Sequence, residues 1–397
     1  MTMARYIGTA AYGIRAPIIR EGDDLASIVV SSLLEASSHN AFQIKDRDVI
    51  GVTESLLARA QGNYVNTQDI TADVMRKIPD DFVVLFPILS RNRFALILRG
   101  LAQSKRKMTV MLSYPHDEVG NPLMDPDQLD ESGINPHTDI LTEDQYRRLF
   151  GYEFKHPFTG LDYVALYKSL AVNDNIEIVL ANDYKAALQF SPHILVADIH
   201  DRSRLKRKLW QAGAQTVIGL DDLLTEPVNG SGYNPEYGLL GSNQAGDDRL
   251  KLFPRDCAQF VTCVQQLVKD RTGKHLEVMI YGDGAFKDPR GRIWELADPV
   301  VSPGYTDGLK GLPNEIKLKY VVDNELAGLD RFSAAESLKN KIRTKASKSV
   351  ETSEFLGTTP RQITDLLGSL CDLISGSGDK GTPIVLIQGY FDNYASD

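Results

Sequence analysis

An aspartate that stands between two glycines, directly after an apolar strand, has the surroundings of a ligand-binding acid. Residues 276–281 (LEVMIY) predict a buried strand, and Gly282-Asp283-Gly284 follows it without a break. Neither neighbour of Asp283 has a side chain, so a metal ion or a phosphate could approach the carboxylate closely, as in many α/β proteins. Asp-Gly is also a standard turn pair, and a tight turn is the alternative interpretation.

A second polar cluster follows another predicted strand, Met108 to Leu112. The next residues, 113–122 (SYPHDEVGNP), bring a histidine, an aspartate (Asp117), a glutamate and an asparagine into six positions. Such a density of oxygen and imidazole groups is typical of a ligand-binding loop. A loop that is polar only for solubility would have a similar composition, and the sequence leaves both interpretations open.

Two arginines flank the predicted start of an apolar helix. Arg91 and Arg93 lie in the segment SRNR, directly before the helix predicted for Phe94 to Ala102. Cations at a helix start oppose the helix dipole, so an anion clamp is one interpretation of the pair. A solvated turn is the other, because most charged surface residues have no specific partner.

A glycine-rich loop precedes the last predicted strand of the chain. Residues 375–383 (SGSGDKGTP) lead into the strand Ile384 to Gln388. The composition resembles a phosphate cradle, because backbone amides can converge where glycine removes the Cβ atom. The loop lacks the G-x-x-x-x-G-K-[ST] pattern and precedes a strand rather than a helix, so it is not a P-loop. A flexible linker is the alternative.

The elements that carry these loops predict an α+β protein with an α/β segment inside it. Strands and helices alternate from Ile176 to Leu220, which favours a parallel sheet. No G-x-G-x-x-G accompanies them, so a Rossmann dinucleotide site is not supported. We expect residues 125–235 to be an inserted α/β subdomain between two parts of a core, 1–124 and 236–397. Residues 316–324 predict a strand, and residues 329–360 predict a surface insertion with a helix and a loop.

Length and composition restrict the classes of protein. A chain of 397 residues predicts two or three domains. Its net charge of −9 argues against general nucleic-acid binding, which needs a positive field. Three cysteines without a C-x-x-C pair do not form a disulfide framework and fit a reducing cytoplasm. No signal peptide and no long apolar run is visible, so we expect neither secretion nor a membrane span.

Six short segments, in chain order, resemble motifs of the coenzyme F-420 gamma-glutamyl ligase family, which adds L-glutamate to a deazaflavin coenzyme precursor. No single segment is specific, and their shared order carries the resemblance. The segments are residues 17–25 (PIIREGDDL), 46–62 (DRDVIGVTESLLARAQG), 242–254 (SNQAGDDRLKLFP), 272–284 (TGKHLEVMIYGDG), 308–327 (GLKGLPNEIKLKYVVDNELA) and 378–389 (GDKGTPIVLIQG).

The resemblance implies a mixed ligase-like core, a homodimer and an amide-forming ligase that uses GTP, Mn²⁺ or Mg²⁺, and an assisting K⁺. In the family, a substrate carboxylate attacks the γ-phosphate and the amine of glutamate then displaces the acyl phosphate. Such chemistry depends mostly on positioning and charge neutralisation. No catalytic residue is assigned. The positions that the resemblance implies for nucleotide binding are Glu54, Ser55, Arg59, Asn243, Gly376, Gly378, Asp379, Gly381 and Thr382.

The chain departs from the family at both metal-binding acids. Gly282 stands where the family has one aspartate, so Asp283, one place later, is the metal candidate. Leu240 stands where the family has the other, just before the Ser-Asn motif. We expect Asp117 to replace it, with the Asp247–Asp248 pair as the second choice.

These departures leave three functions open. The first is ligation of L-glutamate, or a similar amino acid, to a coenzyme-like carboxylate. The second is a glutamyl ligase that acts on a folate-type acceptor. The third is a non-catalytic nucleotide- or ligand-binding protein of the same fold. Each has small molecules as partners, and none requires nucleic acid or a membrane.

Overall fold

A computed structural model describes residues 7–40, 42–157, 159–282, 285–287, 294–296, 302–345, 362–375 and 379–396. The chain mixes helices with several sheets, in agreement with the α+β class expected from its sequence. It forms two compact units. Unit 1 consists of residues 1–57, 256–286 and 295–397, and unit 2 of residues 58–255 and 287–294.

The strands and helices are numbered in chain order. The strands are β1 (Ala10–Ile14), β2 (Val49–Thr53), β3 (Tyr64–Asn66), β4 (Phe82–Leu85), β5 (Met108–Leu112), β6 (Leu141–Thr142), β7 (Ile176–Leu180), β8 (His193–Val196), β9 (Thr216–Gly219), β10 (Asn243–Gln244), β11 (Arg249–Lys251), β12 (Glu277–Tyr281), β13 (Ala285–Lys287), β14 (Trp294–Leu296) and β15 (Ile384–Gln388). The α-helices are α1 (Leu25–Asn40), α2 (Glu54–Ala60), α3 (Thr67–Lys77), α4 (Phe94–Ala102), α5 (Pro126–Glu131), α6 (Glu143–Phe150), α7 (Tyr163–Ser169), α8 (Arg202–Gln211), α9 (Cys257–Thr272), α10 (Leu318–Asn324), α11 (Arg331–Thr344) and α12 (Ile363–Ser375).

Unit 1 is built on a four-stranded mixed sheet in the order β1-β15-β2-β12. Strand β12 runs parallel to β2, whereas β15 runs antiparallel to both β1 and β2. The two parallel strands and β15 are almost entirely buried, which requires cover on both sheet faces. Helix α12 covers one face, and α9 packs against β12 and α1.

Gly51 allows α12 to lie close to the sheet. A Cβ atom at this position would stand 2.4 Å from Sγ of Cys371, a fully buried residue of α12. Real side chains do not tolerate such a distance, so the sheet and the helix fit together only because residue 51 has no side chain. The apolar residues around this contact, among them Val49, Met279 and Leu367, form one buried cluster.

Unit 2 contains a six-stranded sheet in the order β6-β7-β5-β4-β8-β9. All its pairs are parallel except that of the edge strand β6 with β7. The parallel α/β character expected for residues 176–220 is therefore confirmed. Strands β4 and β5, which precede residue 125, pair with β8 and β7, which follow it. The limits of an inserted subdomain at 125 and 235 stay a prediction.

Two smaller sheets complete the chain, β10-β11-β3 and β13-β14. The strand predicted for residues 316–324 is wrong, because residues 318–324 form helix α10. Val321 of α10 is fully buried in a cluster with Leu338 and Ile342 of α11, so its helical packing overrides a strand-like local composition. The predicted helix in 329–360 is α11, while residues 346–360 lie outside the described structure. Among the described helices, none has the length and apolar character needed to cross a membrane.

Candidate functional site

Three of the motif segments leave the unit 1 sheet at the same edge. Strands β2 and β12 are parallel, and their last residues, Thr53 and Tyr281, are paired. Strand β15 runs the opposite way, so its first residue, Ile384, pairs with Val52. The residues that follow β2 and β12, and those that precede β15, therefore meet at one edge. Carboxyl ends of parallel strands are the usual place for ligands in such sheets.

Glu54 and Ser55 begin helix α2 directly after β2. Glu54 is buried at 7% exposure, and Ser55 is half-buried. A glutamate in the first turn is favourable because it faces the positive end of the helix dipole. The main-chain N–H of Thr53 donates a hydrogen bond to Pro383 O at 3.1 Å, which ties this point to the loop before β15.

The loop before β15 combines a buried hydroxyl with a glycine that leaves open space. The hydroxyl oxygen of Thr382 is buried and has no hydrogen-bond partner among the described residues. A buried polar group without a partner costs free energy and asks for an explanation, which a ligand oxygen would supply. Gly381 has a positive φ of 65° and open space where a Cβ would stand. Gly376 and Gly378 lie outside the described residues.

The sheet also brings β1 to this edge, which the sequence motifs do not reveal. Ile14, the last residue of β1, pairs with Ile384, and Ala16 N donates to Gly381 O at 3.3 Å. The exposed side chains of Arg15 and Lys380 therefore belong to the same edge, where they could face an anion. Arg15 has no sequence signature, because its position depends on pairing with residues far along the chain.

The metal candidate Asp283 lies outside the described residues. Strand β12, which precedes it, ends at Tyr281 as the sequence predicts. Within the described part of the chain, no group of three or more His, Cys, Asp or Glu side chains is placed to hold a metal ion. Asp283 as a metal ligand stays a prediction.

Arg59 and Asn243 belong to unit 2. Arg59 is exposed on α2, four residues after Ser55, a spacing that places both on one helix face. Asn243 Oδ1 accepts a hydrogen bond from Gln244 N at 2.9 Å. Its neighbour Ser242 is 2% exposed, and its hydroxyl has no partner in the described structure. The Ser-Asn motif thus contains an unsatisfied buried hydroxyl, as the loop before β15 does.

Leu240, at the position of the family's second acid, packs against the apolar core of unit 2. The acids proposed to replace it differ in their surroundings. Asp247 and Asp248 are exposed, and their main-chain carbonyls accept hydrogen bonds from Arg99 and Thr67.

Asp117 is buried and already fully hydrogen-bonded. Its Oδ2 accepts from Leu89 N at 2.7 Å and Asn121 Nδ2 at 2.8 Å. Its Oδ1 accepts from Asn121 N at 2.7 Å and Val119 N at 3.1 Å. Burial raises the pKa of Asp117, while these four N–H donors favour its charged form. A metal ion could bind only by displacing them, so the contacts indicate a carboxylate that organises its loop.

The neighbouring carboxylate links two loops of unit 2. Glu118 accepts from the main-chain N–H groups of Ile199 at 2.6 Å and His200 at 2.9 Å. Burial, and then the charge of Asp198, raise the pKa of Glu118 to about 7. Perturbed carboxyl groups are frequent at functional sites and also in structural networks. Here the contacts join the segment after β5 to the segment after β8.

The fold, the shared sheet edge and the six motifs together indicate a ligase that forms amide bonds. The family model described as F420-0:Gamma-glutamyl ligase matches residues 13–389, nearly the whole chain. The chain therefore belongs to this family, as its motifs predict, and it is an enzyme of the amide-forming ligase class. No curated protein matches the chain.

Proposed function

We propose that the protein adds L-glutamate, or a similar amino acid, to a carboxylate of a coenzyme-like acceptor, with GTP as co-substrate. The acceptor carboxylate attacks the γ-phosphate and releases GDP. The amine of the amino acid then attacks the acyl carbon, forms the amide and releases phosphate. The observation that carries the proposal is the meeting of β2, β12 and β15 at one edge, in a chain of this ligase family.

The residues at this edge suit the binding of a nucleotide. The Thr382 hydroxyl has no hydrogen-bond partner among the described residues, Gly381 leaves open space, and Arg15 and Lys380 supply positive charge. Phosphoryl transfer needs donors and cations around the phosphate oxygens more than it needs covalent chemistry. Arg15, Lys380 and Thr382 would hold the triphosphate. Glu54 and Ser55, the first residues of α2, would lie beside it.

Mn²⁺ or Mg²⁺, with K⁺ assisting, forms part of the same proposal. Mg²⁺ usually binds through one or two carboxylates together with substrate phosphates, so a cluster of three protein ligands is not required. Asp283 is the carboxylate to test. Asp283→Asn should abolish the Mn²⁺-dependent part of GTP binding, measured as the rise in melting temperature with GTP in the presence and absence of Mn²⁺. An unchanged rise would remove Asp283 from the site.

The activity can be tested with GTP or ATP, Mn²⁺ or Mg²⁺, and amino acids paired with a deazaflavin-type and a folate-type acceptor. Phosphate release and the mass of the amide product are the readouts. A glutamyl product supports the proposal and identifies the acceptor. If no pair releases phosphate while GTP still raises the melting temperature, the non-catalytic nucleotide-binding alternative replaces it.

Thr382→Val tests the sheet edge itself. Valine has nearly the same shape, and the hydroxyl that it removes has no partner in the described part of the chain, so folding should not suffer. We expect GTP affinity to fall by about tenfold, the value of one lost hydrogen bond to a charged group. Thr262→Val, an exposed position on α9, is the matched control and should leave affinity unchanged. A homodimer, which sedimentation can test, and a cytoplasmic location complete the proposal.

A further inference from the structure

A pocket of about 370 Å³ in unit 2 combines positive charge with an apolar floor. Arg91 and Arg99 line it together with the amide side chains of Asn92 and Gln244. Among the described residues, no acid lines the pocket, although the whole chain has a net charge of −9. The pocket is therefore positively charged, whereas the protein as a whole is negatively charged.

Neither arginine is neutralised by an acid of the described chain. Arg91 Nε donates to Asn92 Oδ1 at 3.2 Å, and Arg99 Nη1 donates to the main-chain oxygen of Asp247 at 3.0 Å. Both acceptors are neutral oxygens, and neither arginine forms an ion pair within 4.0 Å in the part of the chain that the structure describes. Arg91 lies three residues before Phe94, where α4 begins without a side-chain cap, so the positive end of the helix dipole adds to the field at Arg91. Arg99 lies in the last turn of the same helix.

The floor of the pocket is apolar. Leu96 of α4 lies there with Leu166 and Leu170, which come from α7 and its C-terminal end. Leucine side chains offer nothing to an inorganic ion, but they bind the hydrocarbon part of an organic one. The volume lies within the range of small-molecule pockets, about 300–1,000 Å³.

The loop that carries Arg91 is fixed in place by buried hydrogen bonds. The hydroxyl of Tyr167, a fully buried residue, donates to Ile88 O at 2.7 Å and accepts from Ser90 N at 2.9 Å. Between these two residues, Leu89 N donates to Asp117 at 2.7 Å. Three consecutive residues are thus held from two sides, so Arg91 starts from an ordered backbone, which lowers the entropic cost of binding.

We propose that this pocket binds a small organic anion with a carboxylate or phosphate head and an apolar body. The two guanidinium groups would bind the head, because their planar N–H pairs match both carboxylate and phosphate. The three leucines would cover the body. The pocket lies in unit 2 and shares no residue with the edge of the unit 1 sheet, so the inference does not depend on the proposed ligase chemistry.

Calorimetric titration of the full chain can test both halves of the pocket. Phenyl phosphate and phenylacetate each carry a head and a body, inorganic phosphate carries only the head, and benzyl alcohol only the body. We expect saturable 1:1 binding of at least one of the first two, about tenfold weaker binding of inorganic phosphate, and none of benzyl alcohol. The tighter of phenyl phosphate and phenylacetate identifies the head group.

Matched variants locate the binding. Arg91→Gln/Arg99→Gln should lower the affinity for the tighter probe at least about tenfold, because the head group of the probe loses both charged hydrogen-bond partners. Arg148→Gln/Arg207→Gln removes the same two charges from exposed positions of unit 2, and should change affinity by less than about twofold. An equal loss in both double variants would mean general electrostatic attraction, and no loss in either would place binding elsewhere. Either result would overturn the proposal.

A third variant tests the apolar floor. Leu170→Asn should weaken the phenyl compound several-fold and leave inorganic phosphate unchanged. Equal weakening of both probes would contradict the assigned floor. The melting temperature of each variant is measured beside its affinity and shows whether a loss of binding reflects unfolding.

Arg91→Lys/Arg99→Lys keeps the charge without the planar fork. Its affinity for the tighter probe should lie between that of wild type and that of the glutamine variant. Full affinity in the lysine variant would refute recognition of the head group by the two planar guanidinium groups.

Discussion

Arg147 and Arg148 are adjacent on α6, yet their replacement should have very different effects. The Arg147 side chain is 8% exposed and meets Asp162, which is 13% exposed. Two hydrogen bonds join them, Nη1–Oδ2 at 2.6 Å and Nη2–Oδ1 at 3.1 Å. Asp162 also caps α7 by accepting from Ala165 N at 2.8 Å. Arg148 is exposed and serves as the control.

Arg147→Ala should destabilise unit 2 by about 1–3 kcal/mol, because it removes two charged hydrogen bonds from the half-buried carboxylate of Asp162. Arg148→Ala should change stability by less than about 0.5 kcal/mol. In urea unfolding followed by tryptophan fluorescence, the first variant should lower the midpoint by about 0.5–1 M. A midpoint equal to that of Arg148→Ala would refute the argument that this pair is an essential buried contact.

The same pair predicts a pH dependence. Burial raises the pKa of Asp162, but the hydrogen bonds and charge of Arg147, with the N–H groups of Ala165 and Phe154, outweigh it and hold the pKa below the ordinary value of 3.8. A carboxyl group with a lowered pKa stabilises the fold above its ordinary pKa, and the contribution is lost as the pH falls through the folded value. The difference in the free energy of unfolding between Arg147→Ala and wild type should therefore shrink below pH 3.8. A constant difference would contradict the assignment to Asp162.

Three further substitutions test other contacts. Gly51→Ala should cost about 1–3 kcal/mol through overpacking against Cys371, and the double variant with Cys371→Ala should recover part of the lost melting temperature. Asn66→Ala removes the capping box of α3 and should cost about 0.5–2 kcal/mol in urea unfolding, whereas no change would mean that the cap is dispensable. Burial lowers the pKa of His156, so its contribution to stability should fall as the pH drops below 6.5, and wild type should lose more stability than His156→Asn in melting curves from pH 8 to pH 5.

Local sequence patterns predict much of the fold. The strand that ends at Tyr281 and the alternating elements from Ile176 onwards follow from runs of apolar residues bounded by polar turns. Helix α10 could not be predicted in this way, because its type depends on packing of Val321 against a partner helix.

The site is predictable only in part, since its residues meet through long-range pairing. The motif segments identify Glu54 and Thr382, but Arg15 reaches the edge only through the pairing of Ile14 with Ile384. The sequence also cannot show that Asp117 is engaged, because one of its donors, Leu89 N, lies 28 residues away. Residue type indicates what a side chain can bind, and tertiary contacts decide whether it is available.

The central place of β15 has a consequence for how the protein is made. This strand joins β1 to β2, and β1 pairs with no other strand of its sheet. A ribosome must therefore synthesise residues 384–388 before the earliest strand can find its partner, whereas all residues of unit 2 have been made once residue 294 has emerged. A chain truncated before residue 384 would lack the strand that completes the edge proposed for nucleotide binding, so under that proposal we expect it not to consume nucleotide.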